Sequence, residues 1–187
     1  MTQAIVLAGG LSRRTGINKM SLPFHGKPLI LNTIDRVFPS VSKVVVVTGH
    51  YHDEIKLLLQ GIPKIEIVQN KDYMKGMFSS VLCGVKHISE DFFIVPGDYP
   101  IIRNETYTQM INQLHTMLVP SYKGIKGHPL LLSLSLKEEL LKEPVESNLK
   151  VFRDRHILDV METSDEGILH DIDTLTDYET LIQKGKE

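Results

Sequence analysis

Three stretches of this 187-residue chain combine residue types that can do chemistry on phosphates. The first is LAGGLSRRTGINK, from Leu7 to Lys19, with three glycines, two hydroxyls and three cations. Glycines let a backbone approach a ligand closely, and unpaired N–H groups cradle phosphate oxygens. Arg14 and Lys19 can neutralise a triphosphate. The spacing is neither GxGxxG nor GxxxxGK[ST], so it is neither a dinucleotide fingerprint nor a P-loop. The second stretch is VPGDYP, from Val95 to Pro100. A carboxylate at Asp98, facing a triphosphate, suits Mg²⁺, which takes one or two carboxylates plus substrate phosphates. The third is LHDIDTLTDY, from Leu169 to Tyr178. Asp171 and Asp173 flank Ile172, so extended backbone puts both on one face. Either could complete a metal site, and Asp173 or Thr174 could instead cap a helix with Asp177 in its first turn.

These groups need a frame that brings them together. Apolar runs at Ala4–Leu7, Val44–Val47, Ile65–Val68 and Phe92–Val95 read as strands buried on both faces of a parallel sheet. Between them, 29–38, 53–60, 77–88 and 105–114 read as amphipathic helices. That order predicts a doubly wound α/β fold. The last third is less regular: strands are expected at 118–122, 129–132 and 157–161, and helices at 137–141, 149–155 and 177–184. Ligands bind outside the carboxyl ends of such strands. Gly9, Gly10 and Ser12 follow the first strand. Thr48, Gly49 and His50 follow the second, and Gly97 and Asp98 the fourth.

Composition narrows the classes further. Hydrophobic residues are 42% and charged residues 24%, which fits a folded domain rather than a disordered chain. Lys plus Arg number 21 against 23 Asp plus Glu, which argues against a nucleic-acid binder or a polybasic membrane anchor. Cys83 is the one cysteine, excluding an internal disulfide and a cysteine zinc site; its setting, VLCGV, predicts a buried core thiol. No apolar run reaches transmembrane length, and AIVLA at the start lacks a signal peptide's basic region. A cytoplasmic protein is expected. No linker or repeat divides the chain, so one domain over 1–187 is expected.

Taken in order, the motifs resemble those of the molybdenum cofactor nucleotidyltransferases, the MobA-like NTP transferases. LAGGLSRRTGINK is similar to LA[AG]GxSxRMGxxK, with Thr15 in place of Met, and GDYP is similar to GDxP. VVVVTGHYHDEI, NKDYMKGMFSSVLCGV, SYKGIKGHPLLL and ILHDIDTLTDY resemble the cytidylyltransferase branch, whereas the Gly9-Gly10 pair is typical of the guanylyltransferase branch. The resemblance implies a Rossmann-like, three-layer nucleotide-diphospho-sugar transferase fold with a mixed, mostly parallel sheet of about seven strands. It implies a Mg²⁺-dependent enzyme that transfers CMP from CTP, or GMP from GTP, to the terminal phosphate of a molybdopterin-type cofactor. Carried over by position, Leu7, Ala8, Gly9, Gly10, Leu11, Ser12, Lys19, Thr48, Gly49, Ser79, Ser80 and Gly97 would bind nucleotide. Lys19, Arg14 and Asp98 would be catalytic, Asp98 and Asp173 would hold the metal, and Lys123 and His128 would face the acceptor. An apo-molybdoenzyme is a conceivable client. A sugar-1-phosphate nucleotidyltransferase shares the opening motif, and a cofactor-carrying chaperone is the alternative without turnover.

Overall fold

A computed structural model describes residues 1–10, 17–172, 174 and 176–179. The expectations placed on Leu11, Ser12, Arg14 and Asp173, and on the helix beyond residue 179, lie outside these residues.

The apolar runs form strands as expected. β1 (Thr2–Ala8) is buried along its whole length, and so are five of the six residues of β4 (Lys43–Thr48) and of β6 (Asp91–Pro96). In between come a two-residue hairpin, β2 (Pro23–Phe24) with β3 (Lys27–Pro28), then helix α1 (Leu29–Val37), which Pro28 introduces. α2 (His52–Leu59), β5 (Ile65–Gln69) and α3 (Met77–Val85) continue the alternation. After β6 follow α4 (Asn104–Ile111), β7 (Met117–Tyr122), β8 (Ile125–Lys126), β9 (Leu130–Leu132), α5 (Lys137–Leu141), α6 (Leu149–Arg153) and β10 (Asp159–Glu162).

The strands make one eight-stranded sheet in the order β10-β7-β9-β6-β1-β4-β5, with β8 paired to β7 alone. β1 lies between β4 and β6, parallel to both, and β5 and β10 also join in parallel. β9 does not: it enters between β6 and β7 antiparallel to each. The four apolar runs read as parallel strands are β1, β4, β5 and β6 and do pair in parallel, while β9 makes the sheet the mixed, mostly parallel one that the resemblance implies. β9 is three leucines, all buried, so its composition carries no sign of direction.

Alternate residues of each strand face opposite layers. Ala4, Val6, Val44 and Val46 pack with Ile30, Ile34, Ile55, Tyr107 and Met110, from α1, α2 and α4. Ile5, Leu7, Val45 and Val47 pack with Val81, Val85, Leu140 and Phe152, from α3, α5 and α6. The result is three layers, helices on both faces of the sheet. At the outer edge only Met161 of β10 is buried, and the charged Asp159 and Glu162 face water, a common way to keep an edge strand from pairing further. No helix among the described residues is long and apolar enough to cross a membrane.

Cys83 departs from the expected core position. It is only partly buried on α3. Burial still raises its thiol pKa, with Asp72 adding to the rise against an opposing contribution from Lys86. Thiol reagents react through the thiolate. Modification of the native protein at pH 7.5 is therefore expected to be at least ~10-fold slower than in the denatured chain, measured as the rate of disulfide-reagent turnover. Equal rates would overturn this.

Candidate active site

The carboxyl ends of β1, β4 and β6 converge on one sheet edge. Gly97 N donates to Leu7 O at 2.9 Å, and Gly97 O accepts from the buried Thr33 Oγ1 at 2.8 Å. On the other side of β1, Gly49 lies so close to Gly9 that a Cβ on Gly49 would meet the Gly9 carbonyl and stand 2.8 Å from Tyr73 Cβ. Only glycine fits there. Leu7, Ala8, Gly9, Gly49 and Gly97 are therefore together, and Gly10 follows exposed, with open space around it.

Lys19 and Asp98, 79 positions apart in sequence, meet here. Lys19 Nζ is 2.7 Å from Asp98 Oδ2, with side chains 12% and 17% exposed. Lys19 sits at the start of a short 3-10 turn capped by Asn18, whose Oδ1 accepts from Met20 N at 3.1 Å. Asn18 Nδ2 donates to Glu54 Oε2 of α2 at 3.0 Å, tying this turn to the layer below. Asp98 is fixed from the closing segment: Ile172 N donates to its carbonyl at 3.0 Å, and Lys19 Nζ donates to Ile172 O at 2.7 Å. Ile172 is itself buried against Phe24 and Leu29. Next along the chain, Thr174 and Asp177 form a reciprocal cap, Thr174 N to Asp177 Oδ2 at 2.7 Å and Asp177 N to Thr174 Oγ1 at 3.1 Å. The capping role expected at Thr174 is met.

The serines of α3 divide. Asn70, directly after β5, donates from Nδ2 to Ser79 Oγ at 2.8 Å and to Ser80 Oγ at 3.0 Å. The Ser79 hydroxyl donates back to Gly76 O at 2.7 Å, so it is committed to the frame. Ser80 accepts from Asn70, and among the described residues its own proton has no acceptor. A Cβ at Gly9 would lie 2.7 Å from Ser80 Oγ, which places this hydroxyl against the Gly9 backbone. Thr48 is fully buried, its Oγ1 2.7 Å from His52 Nδ1 and 3.1 Å from Val68 O. Its side chain belongs to the frame, leaving its backbone and Gly49 at the edge. Asn70 was not foreseen, although it obeys the same rule as Gly9 and Gly97: it is the first residue past a strand.

His128 and Lys123 separate. The His128 ring packs edge-on to Tyr99, centroids 4.7 Å apart, and its N donates to Ile168 O at 3.0 Å. Burial lowers its pKa, Asp98 opposes the shift and Arg153 adds to it, so the ring is neutral at neutral pH. Lys123 is exposed at the β7–β8 turn with φ 50°, its Nζ 4.9 Å from the Tyr122 ring centroid. Its charged neighbour is Glu166. His128 thus adjoins Asp98, and Lys123 belongs to a neighbouring rim.

Among the described residues no group of three or more His, Cys, Asp or Glu could hold a metal ion. A cage of protein ligands is not what Mg²⁺ needs when phosphates supply the rest. Asp98 fits that role: Oδ2 is held by Lys19, and Oδ1 accepts no hydrogen bond among the described residues.

Residues 4–160 match the family model described as the MobA-like NTP transferase domain. The chain is similar to the molybdenum cofactor cytidylyltransferase of Escherichia coli, 27% identical across 98% of this chain and 96% of that one. A probable molybdenum cofactor guanylyltransferase of Thermococcus sibiricus is 31% identical across 76% of this chain and 73% of that one. In three dimensions the chain resembles a Methanothermobacter nucleotidyl transferase, TM-score 0.83 at 23% identity, over 98% of this chain and 97% of that one. The last comparison bears on the fold, which is the nucleotide-diphospho-sugar transferase type.

Proposed function

We propose that this chain, which belongs to the MobA-like NTP transferase family, transfers a cytidylyl group from CTP to the terminal phosphate of a molybdopterin-type cofactor, in the cytoplasm. It is a nucleotidyltransferase, and its place in molybdenum cofactor biosynthesis is drawn from its relatives. The observation that carries the chemistry is the Lys19–Asp98 pair at the sheet edge where β6 ends, with Gly97 bonded to Leu7 of the neighbouring β1. An ammonium and a carboxylate, both largely withdrawn from water, stand where a triphosphate would lie against free backbone N–H groups.

In the reaction an oxygen of the acceptor phosphate bonds to the α-phosphorus, and the bond from that phosphorus to the pyrophosphate oxygen breaks. A phosphate monoester is mostly dianionic at pH 7, with a second pKa of ~6. No strong base is required of the protein, whose work is positioning and neutralising charge. Lys19 exchanges one anionic partner, Asp98, for another, the phosphates that become pyrophosphate. Backbone N–H groups at Gly9 and Gly10 accompany it, with Leu11, Ser12 and Arg14 assigned from the motif. Ser80 and the Gly49 backbone face the base or ribose, in a frame set by Ser79 and Thr48. His128, neutral, offers the acceptor a hydrogen bond. Asp98, with Asp173 by motif, would hold Mg²⁺, which when bound stabilises the charge growing on the α-phosphate.

CTP is favoured because similarity to the cytidylyltransferase spans almost the whole of both chains. The Gly9-Gly10 pair favours the second reading, GTP. Calorimetric titration with each nucleotide and Mg²⁺ decides. A Kd for CTP at least ~10-fold below that for GTP, about 1.4 kcal/mol, is expected. The opposite order would assign the guanine dinucleotide, and binding of neither would refute the transferase reading.

A further inference from the structure

One buried carboxylate has no part in the chemistry above. Asp165 is 3% exposed, and aspartate is almost never so buried without partners. Among the described residues its carboxylate accepts three hydrogen bonds, and they come from two places. Oδ1 accepts from Gly167 N at 3.0 Å, capping the short 3-10 turn Glu166–Leu169. Oδ2 accepts from Arg103 N at 2.8 Å and from the buried Thr106 Oγ1 at 2.6 Å. Arg103 directly precedes α4, and Thr106 lies in its first turn. One carboxylate thus ties the closing segment to the loop that runs from Asp98 into α4. Backbone packing repeats the tie: a Cβ on Gly167 would stand 2.6 Å from Ile101 O in that loop.

The tied turn reaches the site at its next residue. Ile168 O accepts from His128 N at 3.0 Å. A Cβ on Gly127 would meet that same carbonyl, so the chain entering His128 lies directly against the turn. The His128 ring in turn packs edge-on to Tyr99, centroids 4.7 Å apart. Tyr99 follows Asp98 in the loop that Asp165 holds. The contacts close a circuit from the Asp98 loop through Asp165 and the turn to His128, and through Tyr99 back to the loop. None of the three carboxylate bonds involves β1, β4 or the glycines at their ends.

We propose that Asp165 is a positioning residue: by holding the turn against the Asp98 loop, it sets His128 where the acceptor phosphate meets it. The role of His128 toward the acceptor rests on the transferase reading. A carboxylate suits the joint because hydrogen bonds to an ionised acceptor are shorter and stronger than those between neutral groups. Buried as it is, Asp165 acts through His128 and not on the substrate. Its loss removes binding that ground state and transition state share, which raises KM and leaves kcat.

The test uses Asp165→Asn, which keeps the size but turns one accepting oxygen into a donor facing donors. The acceptor KM is expected to rise at least ~10-fold with kcat within about threefold of wild type, and the Kd for CTP by calorimetry should stay within about twofold. Thr106→Val removes a single bond and keeps the shape, so it carries the same test should Asp165→Asn not fold. Its acceptor KM should rise ~3-fold, and Thr106→Ser, which restores the hydroxyl, should recover that loss. Hydrogen exchange gives a readout without turnover: the His128 amide should exchange at least ~10-fold faster in Asp165→Asn while the β1 amides keep their rates. Folded variants with a wild-type acceptor KM would overturn the proposal, and so would a parallel loss of CTP affinity, a fall in kcat alone, or an unmoved His128 amide. If wild type turns nothing over, the transferase reading fails, and the His128 amide alone decides whether Asp165 positions this residue.

Discussion

Asp98→Asn is expected to lower kcat by ~10²–10³-fold, the cost of removing one well-placed electrostatic partner of a transition state. The Kd for CTP should stay within about threefold of wild type. Asparagine keeps the shape of the side chain and an oxygen that can accept from Lys19 Nζ, now 2.7 Å away. Ile172 O remains as the second acceptor for that ammonium, so Lys19 keeps a place to rest. What is lost is the carboxylate charge, which in the proposed mechanism would hold Mg²⁺ where charge develops. Rapid-quench kinetics beside calorimetry separates the two quantities. Equal losses in kcat and in CTP affinity would show that Asp98 only organises the binding site, and the metal role would fall.

Gly49→Ala carries the second large effect. The added Cβ would meet the Gly9 carbonyl and Tyr73 Cβ, both fixed to backbone. Neither can rotate aside as a long side chain would. Overpacking of this kind costs ~1–3 kcal/mol, which for a chain of this size lowers Tm by roughly 2–12 °C. Since Gly9 must shift to relieve the clash, CTP affinity should fall at least ~10-fold, or about 1.4 kcal/mol. Gly10→Ala is the control for stability, because nothing lies within 4 Å of its added Cβ. Its Tm should match wild type within about 1 °C. A Gly49→Ala protein with both wild-type Tm and wild-type affinity would mean that the β1 and β4 ends are not joined as described.

The same two positions show how far the sequence reaches. Gly9, Gly49 and Asp98 could be assigned to one edge because three apolar runs, each ending in turn residues, already specify parallel strands and a common carboxyl end. Their packing could not be read. Whether Gly49 is demanded by a neighbour or merely tolerated depends on the Gly9 backbone, 40 positions away. Ser79 and Ser80 are identical in type and adjacent, yet one is committed to Gly76 and the other faces Gly9. That division is made by Asn70, whose importance appears only once β5 is seen to end beside α3. The strand at β9 was legible but its direction was not: three leucines fit a strand of either direction, and its antiparallel place is decided by β6 and β7 on either side.

The position of β1 also shapes how the chain is made. It precedes the sheet's other strands along this sequence and lies inside the sheet, with a neighbour on each side and apolar faces above and below. Neither neighbour exists when it emerges. β4 begins at Lys43, and β6 begins at Asp91, about 80 residues after β1 ends. At ~5–20 residues per second, a ribosome needs roughly 4–16 s to supply that second partner. Through that interval one whole edge of the most water-averse segment stands open on the nascent chain. An open apolar strand edge invites pairing with other chains, so β1 is exposed to aggregation until β6 emerges to cover it.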